Sequence, residues 1–140
     1  MSKINTKESI LEFMKQEGFE VEEKENNVLI LTDEDSFTIF SAITDKQIEF
    51  TVDICGENDI KPDKLLEAYR MLLDLNTEIQ PTCYGINSSE AKNSRIILVD
   101  SLALENLDEN ELQLSISSLA QNTMNAIEVL NPYLKNPITT

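Results

Sequence analysis

Polar and apolar residues alternate along much of the first half of the chain. The most regular stretch is 47–54, where every second residue is apolar. Such alternation predicts antiparallel strands with one face in water. Polar triplets at 25–27, 33–35 and 44–46 are typical of turns and divide this half into four strands, with 28–32 apolar enough for a buried strand.

Three other segments have the 3.6-residue period of a helix. They extend from Asn5 or Thr6 to Gly18, from Pro62 to about Asn76, and from Asp108 to the residue before Pro132. Asn5 with Glu8, and Asp108 with Glu111, have the spacing of a capping box. Two more strands, at 82–87 and 95–102, are joined by a polar loop at 87–93.

These elements follow the order α-β-β-β-β-α-β-β-α and predict the α+β class. The simplest arrangement is a mostly antiparallel sheet with the helices packed on one face. The length of 140 residues favours a single domain over 1–140. The second helix is apolar over about half its circumference, which suggests burial on more than one side. Its apolar face consists of Leu65, Leu66, Ala68, Tyr69, Leu72, Leu73 and Leu75.

Charge narrows the classes of partner. The chain has 26 acidic and 11 basic residues, a net charge of −15. Such an excess disfavours binding to nucleic acid or to an anionic membrane, and it favours basic partners or none. No apolar run is long enough to span a bilayer, and no signal peptide is visible. We therefore expect a cytoplasmic protein whose cysteines, Cys55 and Cys83, are small buried hydrophobes.

Residues for familiar catalytic chemistry are scarce. The sequence has no histidine, and its three glycines are too far apart for a phosphate-binding loop. The triplet at 33–35 lacks the glycine and glutamate of a calcium loop, so a solvated turn is favoured. The tyrosines suit core positions and the arginines Arg70 and Arg95 suit the surface. We predict no catalytic, cofactor or metal-binding residue; a carboxylate-based enzyme or small-molecule binder is the alternative.

The third helix is almost free of charge on its outward side. Its inward stripe is expected to pack on the sheet and consists of Leu112, Ile116, Leu119, Thr123, Ile127, Leu130 and Leu134. The outward side has uncharged polar and scattered apolar residues, and the centres of protein interfaces are depleted in charge in the same way. We predict that this helix, with or without the second, forms a homodimer or partner contact. The predicted interface residues are Leu114, Ser117, Ser118, Gln121, Met124, Asn125 and Val129.

The order of elements resembles the fold of type III secretion chaperones of the Tir-chaperone kind, which are small, acidic, cytoplasmic and usually dimeric. A closer resemblance is to the YjfI-like family of uncharacterised bacterial proteins. It depends on the stretches at 65–86 and 101–134, including Leu119, Ala120 and Asn122 and the "PYL" at 132–134. The first half agrees only in its alternation.

These resemblances imply a non-enzymatic chaperone-like or adaptor protein that acts through protein–protein contacts. The genes of the YjfI-like family tend to lie near one for a phage-shock-protein-A-like protein. This neighbourhood implies a link to membrane stress and names one possible protein partner. The resemblances carry no catalytic residue over to this chain.

Overall fold

The computed structural model describes residues 4–89 and 92–137 and confirms the predicted α+β class and order of elements. The helices are α1 (Lys7–Gln16), α2 (Leu65–Leu75) and α3 (Glu109–Leu130). The strands are β1 (Glu20–Lys24), β2 (Val28–Thr32), β3 (Thr38–Ile43), β4 (Gln47–Gly56), β5 (Cys83–Asn87) and β6 (Arg95–Ala103). They form an antiparallel sheet in the order β1-β2-β3-β4-β6-β5. The loop predicted at 87–93 includes residues 90 and 91, which lie outside the described residues.

Contacts between backbone positions divide the chain into two compact units. The first unit comprises residues 1–52 and 100–117, and the second comprises residues 53–99 and 118–140. Neither unit is continuous in sequence, because β4, β6 and α3 each contribute to both. A single domain over 1–140 stays a prediction, and the two units are described separately below.

In the first unit, the alternation of the sequence becomes one buried sheet face. Leu31 of β2 pairs with Ile39 of β3, and Ser41 of β3 pairs with Phe50 of β4. All four are almost completely inaccessible to water. Because side chains alternate along a strand, their neighbours project from the opposite face. The prediction of one wet face is therefore confirmed for these strands.

The prediction that 28–32 is a buried strand holds for only half of its residues. Leu29 and Leu31 are fully buried, whereas Val28 and Ile30 are half-buried on the opposite face. Phe40, which pairs with Ile30 on that face, is 42% exposed. The first unit therefore covers one face of β2 and leaves apolar side chains on the other in contact with water.

Two polar triplets form turns, as predicted. Asn26 and Asn27 both adopt positive φ angles of about 60° between β1 and β2, a conformation that asparagine tolerates better than most residues. In the next turn, Oδ1 of Asp33 accepts hydrogen bonds from the backbone N–H groups of Asp35 and Phe37 at 2.9 and 2.8 Å. The Asp33 carboxylate therefore stabilises its own turn.

Helix α1 begins at a capping box, but a different one from that predicted. The N-cap is Thr6, whose side chain accepts from the N–H of Ser9 at 3.1 Å while Ser9 accepts in return from Thr6. Asn5 and Glu8 have the usual spacing and residue types, yet the shorter Ser9 side chain closes the box. The helix ends before Gly18, whose φ of +95° favours glycine.

In the second unit, α2 and α3 lie over the same face of the β5–β6 pair. Tyr84 pairs with Leu98 and Ile86 pairs with Ile96, so these four side chains share a face. The hydroxyl of Tyr84 donates to the backbone carbonyl of Asn122 in α3 at 2.7 Å. A short backbone ladder also fixes the C-terminal segment, in which Leu134 bridges to Ile60.

Helix α3 begins and ends where the sequence predicts, but its buried stripe is rotated. Asp108 caps it by accepting from the N–H of Glu111 at 2.9 Å, and it ends at Leu130, before Pro132. Leu112, Leu119 and Leu130 are buried as expected, and Ser115, Asn122 and Ala126 are buried as well. Thr123 and Ile127, predicted on the buried stripe, are only half-buried. The rotation follows from the hydrogen bonds that Ser115 and Asn122 make on the inward side.

The two faces of the first-unit sheet should differ in their sensitivity to truncation. We expect Phe50→Ala to lower the free energy of unfolding by roughly 3–5 kcal/mol, because it leaves a cavity in a close-packed core. Phe40→Ala on the open face should cost about 1 kcal/mol or less. Urea denaturation of both variants measures the difference, and equal losses would show that Phe40 is part of the core.

Candidate protein-binding surfaces

The seven predicted interface residues lie along the outward side of α3, but in different degrees of exposure. Leu114 and Met124 are 59% and 68% exposed. Ser117 and Gln121 are also exposed, whereas Ser118, Asn125 and Val129 are half-buried. Leu114 and Ser117 belong to the first unit, and the other five belong to the second.

The polar residues on this side of α3 bond mainly to one another. Gln121 donates to the side chain of Asn125 at 3.3 Å, and Asn125 donates to the side chain of Asn122 at 2.9 Å. Within the isolated chain this side of the helix is wet at Leu114, Gln121 and Met124. The contact that the low charge predicts would therefore have to come from a second molecule, and the interface stays a prediction.

Helix α2 exposes the apolar residues that were predicted to be buried on more than one side. Only Ala68 and Leu72 are buried, while Leu66 and Leu73 are 74% and 67% exposed. The prediction was wrong because the helix packs on its sheet along one narrow stripe. The remaining apolar face is left open to water.

A groove follows this open face, between α2 and β5. Its cavity volume is about 260 Å³, and its lining includes no charged side chain. One wall is formed by Tyr69, Leu72 and Leu73 of α2 and its C-cap residue Asn76, and the other by Tyr84, Gly85, Ile86 and Ile96 of the sheet. Ile86 is 49% exposed although it shares a sheet face with buried Tyr84. The groove is therefore an open apolar surface next to an edge strand.

A side chain makes hydrogen bonds to part of the outer edge of β5. β5 is the last strand of the sheet, and the side-chain amide of Asn76 bonds to both the N–H and the carbonyl of Tyr84, at 2.7 and 3.1 Å. These two groups therefore point away from β6. Since backbone groups of alternate residues point the same way, those of Ile86 also face the outer edge. They are the next available pairing position beside the groove.

A buried polar chain supports the floor of the groove. Asn122 donates to the hydroxyl of Thr82 at 3.1 Å, and Tyr84 donates to the carbonyl of Asn122. Burial raises the pKa of Tyr84 to about 12. Nearby, burial and a hydrogen bond to Glu57 raise the pKa of Tyr69. Both phenols therefore stay protonated donors at neutral pH.

A second pocket of about 280 Å³ has a mixed lining of Ile54, Cys55, Asp59, Arg95, Leu134, Lys135 and Asn136. The guanidinium of Arg95 is already paired, because it donates two hydrogen bonds of 2.9 and 2.7 Å to Asp53. Burial and the neighbouring Asp59 raise the pKa of Cys55 to about 11, so this thiol is protonated and a poor nucleophile. The pocket therefore combines a paired cation with an unreactive thiol.

The two cysteines differ, although both were predicted to be buried. Cys55 is buried, whereas Cys83 at the start of β5 is exposed. Across residues 4–89 and 92–137 no group of three or more histidine, cysteine or acidic side chains could hold a metal ion. No helix in the same ranges is both long and apolar enough to cross a membrane.

The groove was not identified from the sequence, although one signal for it was present. The apolar face of α2 is wider than one sheet contact requires, and Leu66 and Leu73 lie outside the buried stripe. No feature of the sequence indicates that Asn76 forms hydrogen bonds with the backbone of β5. The role of Asn76 depends on the position of β5, which local sequence does not encode.

Comparisons with known proteins give a family and a fold. A family model described as CesT_Tir_1 matches residues 3–135. A comparison with curated sequences gave no significant match.

Three solved structures share the fold at low identity. YbjN from E. coli has a TM-score of 0.71 and 12% identity, over 96% of this chain and 98% of its own. The ExoU–SpcU heterodimer of the Pseudomonas aeruginosa type III secretion system matches at 0.67 and 15%, over 86% and 97%. The Yersinia pestis type III secretion chaperone SycH, in complex with a fragment of YscM2, matches at 0.58 and 17%, over 86% and 99%.

The phenol of Tyr84 should make the stability of the protein sensitive to alkaline pH. Its pKa of about 12 lies above the ordinary value near 10, so its contribution is complete below pH 10 and is lost as the pH rises towards 12. We expect the wild type to lose roughly 2 kcal/mol more than Tyr84→Phe over this range. Urea unfolding of both proteins at stepped pH measures the difference, and parallel pH curves would contradict it.

Proposed function

Because the chain belongs to the CesT_Tir_1 family, we propose that it is a protein-binding, chaperone-like module. Its binding site is the groove between α2 and β5. The observation that carries this proposal is the open apolar lining, with exposed Leu73 and Ile86 beside an edge strand. Large exposed apolar side chains that converge on one groove are typical of interaction sites.

The partner would bind as an extended segment. Its backbone would pair with the outward N–H and carbonyl groups of Ile86, which adds a strand to the edge of β5. Alternate side chains of the segment would enter the groove beside Leu73, and their burial would supply most of the affinity. Basic residues flanking the segment would be favoured by the acidic chain and would make association faster at low salt.

The structural neighbours support a role in binding proteins. SpcU was solved as a heterodimer with ExoU, and SycH was solved with a fragment of YscM2. At identities of 15% and 17%, these neighbours show a shared fold and not a shared binding site. The choice of the α2–β5 groove therefore depends on this chain's own residues. A finer link to YjfI-like proteins, to a cytoplasmic location and to a phage-shock-protein-A-like partner is part of the proposal.

A non-enzymatic function fits the chemistry of both pockets. A carboxylate-based enzyme would need a concave site lined by several converging acids. The α2–β5 groove is lined by none, and the second pocket contains Asp59 beside Arg95 and Lys135. The alternative of a small-molecule binder would use the second pocket, where the free volume is similar to that of the groove.

Homodimerisation through the outward side of α3 is a second part of the proposal. Exposed Met124 lies beside Gln121, Asn125 and Val129 in the second unit. A self-complementary contact could bury Met124 against the same helix of another copy without desolvating many charges. Glu128 is the one charged residue of α3 within the second unit, and it would lie at the rim of the contact.

Charge introduced into the groove should abolish partner binding. We expect Leu73→Glu and Ile86→Glu to weaken capture of cellular partners by more than about tenfold, since each places a carboxylate in an apolar site. Leu66→Glu is the matched control, because Leu66 lies on the same helix and is 74% exposed but does not line the groove. Quantitative mass spectrometry of affinity-captured proteins compares the three variants with the wild type.

The site is supported by proteins that bind the wild type and Leu66→Glu but neither groove variant. Once such a protein is purified, hydrogen exchange should show new protection of the Ile86 amide in the complex. Equal loss of the captured proteins in the groove variants and the control would contradict the assignment, as would an unprotected Ile86 amide.

Carboxylates on the outward side of α3 should dissociate the dimer. We expect light scattering to give the mass of two chains for the wild type and of one chain for the double variant Gln121→Glu, Asn125→Glu, because like charges would meet at the interface. Gln16→Glu with Ser88→Glu adds the same charge at exposed positions elsewhere and should leave the mass unchanged. A wild type that is monomeric at high concentration would disprove dimerisation.

A further inference from the structure

The open face of the first-unit sheet carries a second apolar surface. Phe40 lies at its centre and pairs across the strands with Ile30 on one side and Thr51 on the other. Val28 and Ala42 pair in the next row of the same face. We call these five residues the Phe40 patch. Phe40 is 42% exposed, and the other four are half-buried.

The sequence of β2 indicates that this face is covered in some state of the protein. Residues 28–31 are all apolar, a run that is typical of strands buried on both faces. The first unit buries Leu29 and Leu31 on one face and leaves Val28 and Ile30 with Phe40 on the other. An apolar patch with an exposed aromatic at its centre and polar surroundings is typical of a binding surface.

The charges around the patch restrict what can cover it. Residues 20–51 contain nine acidic and two basic residues. Exposed Glu22 is adjacent to Ile30, and exposed Glu49 is adjacent to Ala42. One of the two basic side chains, Lys24, is engaged with Glu22 at 2.7 Å. A second copy would bring the same carboxylates face to face, so self-association through this patch is disfavoured.

We propose that the Phe40 patch binds an amphipathic helix of another protein, one whose apolar stripe is flanked by lysine and arginine. A helix packs on a sheet face through one apolar stripe, which matches the width of the patch across β2, β3 and β4. Flanking basic side chains would extend towards Glu22 and Glu49 while their methylene groups cover the apolar rim. This surface and its helical partner are distinct from the α2–β5 groove and its extended partner.

A synthetic peptide tests the proposal directly. The probe is a fluorescently labelled peptide of leucine and lysine, with the leucines at helical spacing, and binding is followed by fluorescence anisotropy. We expect Phe40→Ser to weaken binding by at least about tenfold, because the central apolar contact is lost. Leu66→Ser is the matched control, since it removes a more exposed apolar residue from α2 and should leave binding unchanged.

A second peptide separates patterned binding from charge alone. It has the same composition, with leucines and lysines scrambled so that no stripe forms, and it should bind the wild type much more weakly. Equal binding of the two peptides would overturn the proposal, as would equal effects of Phe40→Ser and Leu66→Ser. Thr51→Lys, which places a like charge within the patch, should also weaken binding and serves if Phe40→Ser does not fold. The groove variant Leu73→Glu should bind the probe as well as the wild type does. The Phe40 patch can therefore be tested independently of the α2–β5 groove.

Discussion

The first unit depends on keeping one sheet face dry and the other wet. Ile48 and Phe50 of β4 are buried, and Phe50 pairs with buried Ser41 of β3, while Glu49 between them is exposed. A slip of one residue in the pairing would turn Phe50 outwards and carry Glu49 into the core. Burying an unpaired carboxylate is far more costly than losing one apolar contact, so the register is fixed by the alternation itself.

In the second unit, polar contacts hold the edge strand β5 in place. The amide of Asn76 takes the place of a neighbouring strand for Tyr84, and Asn122 connects α3 to Thr82. Hydrogen bonds are directional, so these contacts position β5 without using the apolar side chains of Ile86 and Leu73. These contacts can therefore preform the apolar groove in the single chain.

Periodicity predicted the elements well and their environments less well. The alternation and the helical spacing predicted, in order, the nine α-helices and strands that the structure has within residues 4–89 and 92–137, and Asp108 and Pro132 marked the limits of α3. A period shows which side chains share a face, but not how much of that face another layer covers. For this reason Leu73 of α2 was predicted to be buried and is exposed, and the stripe of α3 is rotated towards Asn122.

Two elements, β2 in the first unit and α2 in the second, have more apolar surface than the chain covers. The two surfaces differ in how they would select a partner. The groove beside α2 has no charged lining, so shape and backbone pairing at Ile86 would determine what binds there. The Phe40 patch is surrounded by acidic residues, so its selectivity would come from charge and would weaken as salt rises. If both surfaces bind as proposed, the acidic chain would distinguish an extended apolar segment from a basic helix without any catalytic chemistry.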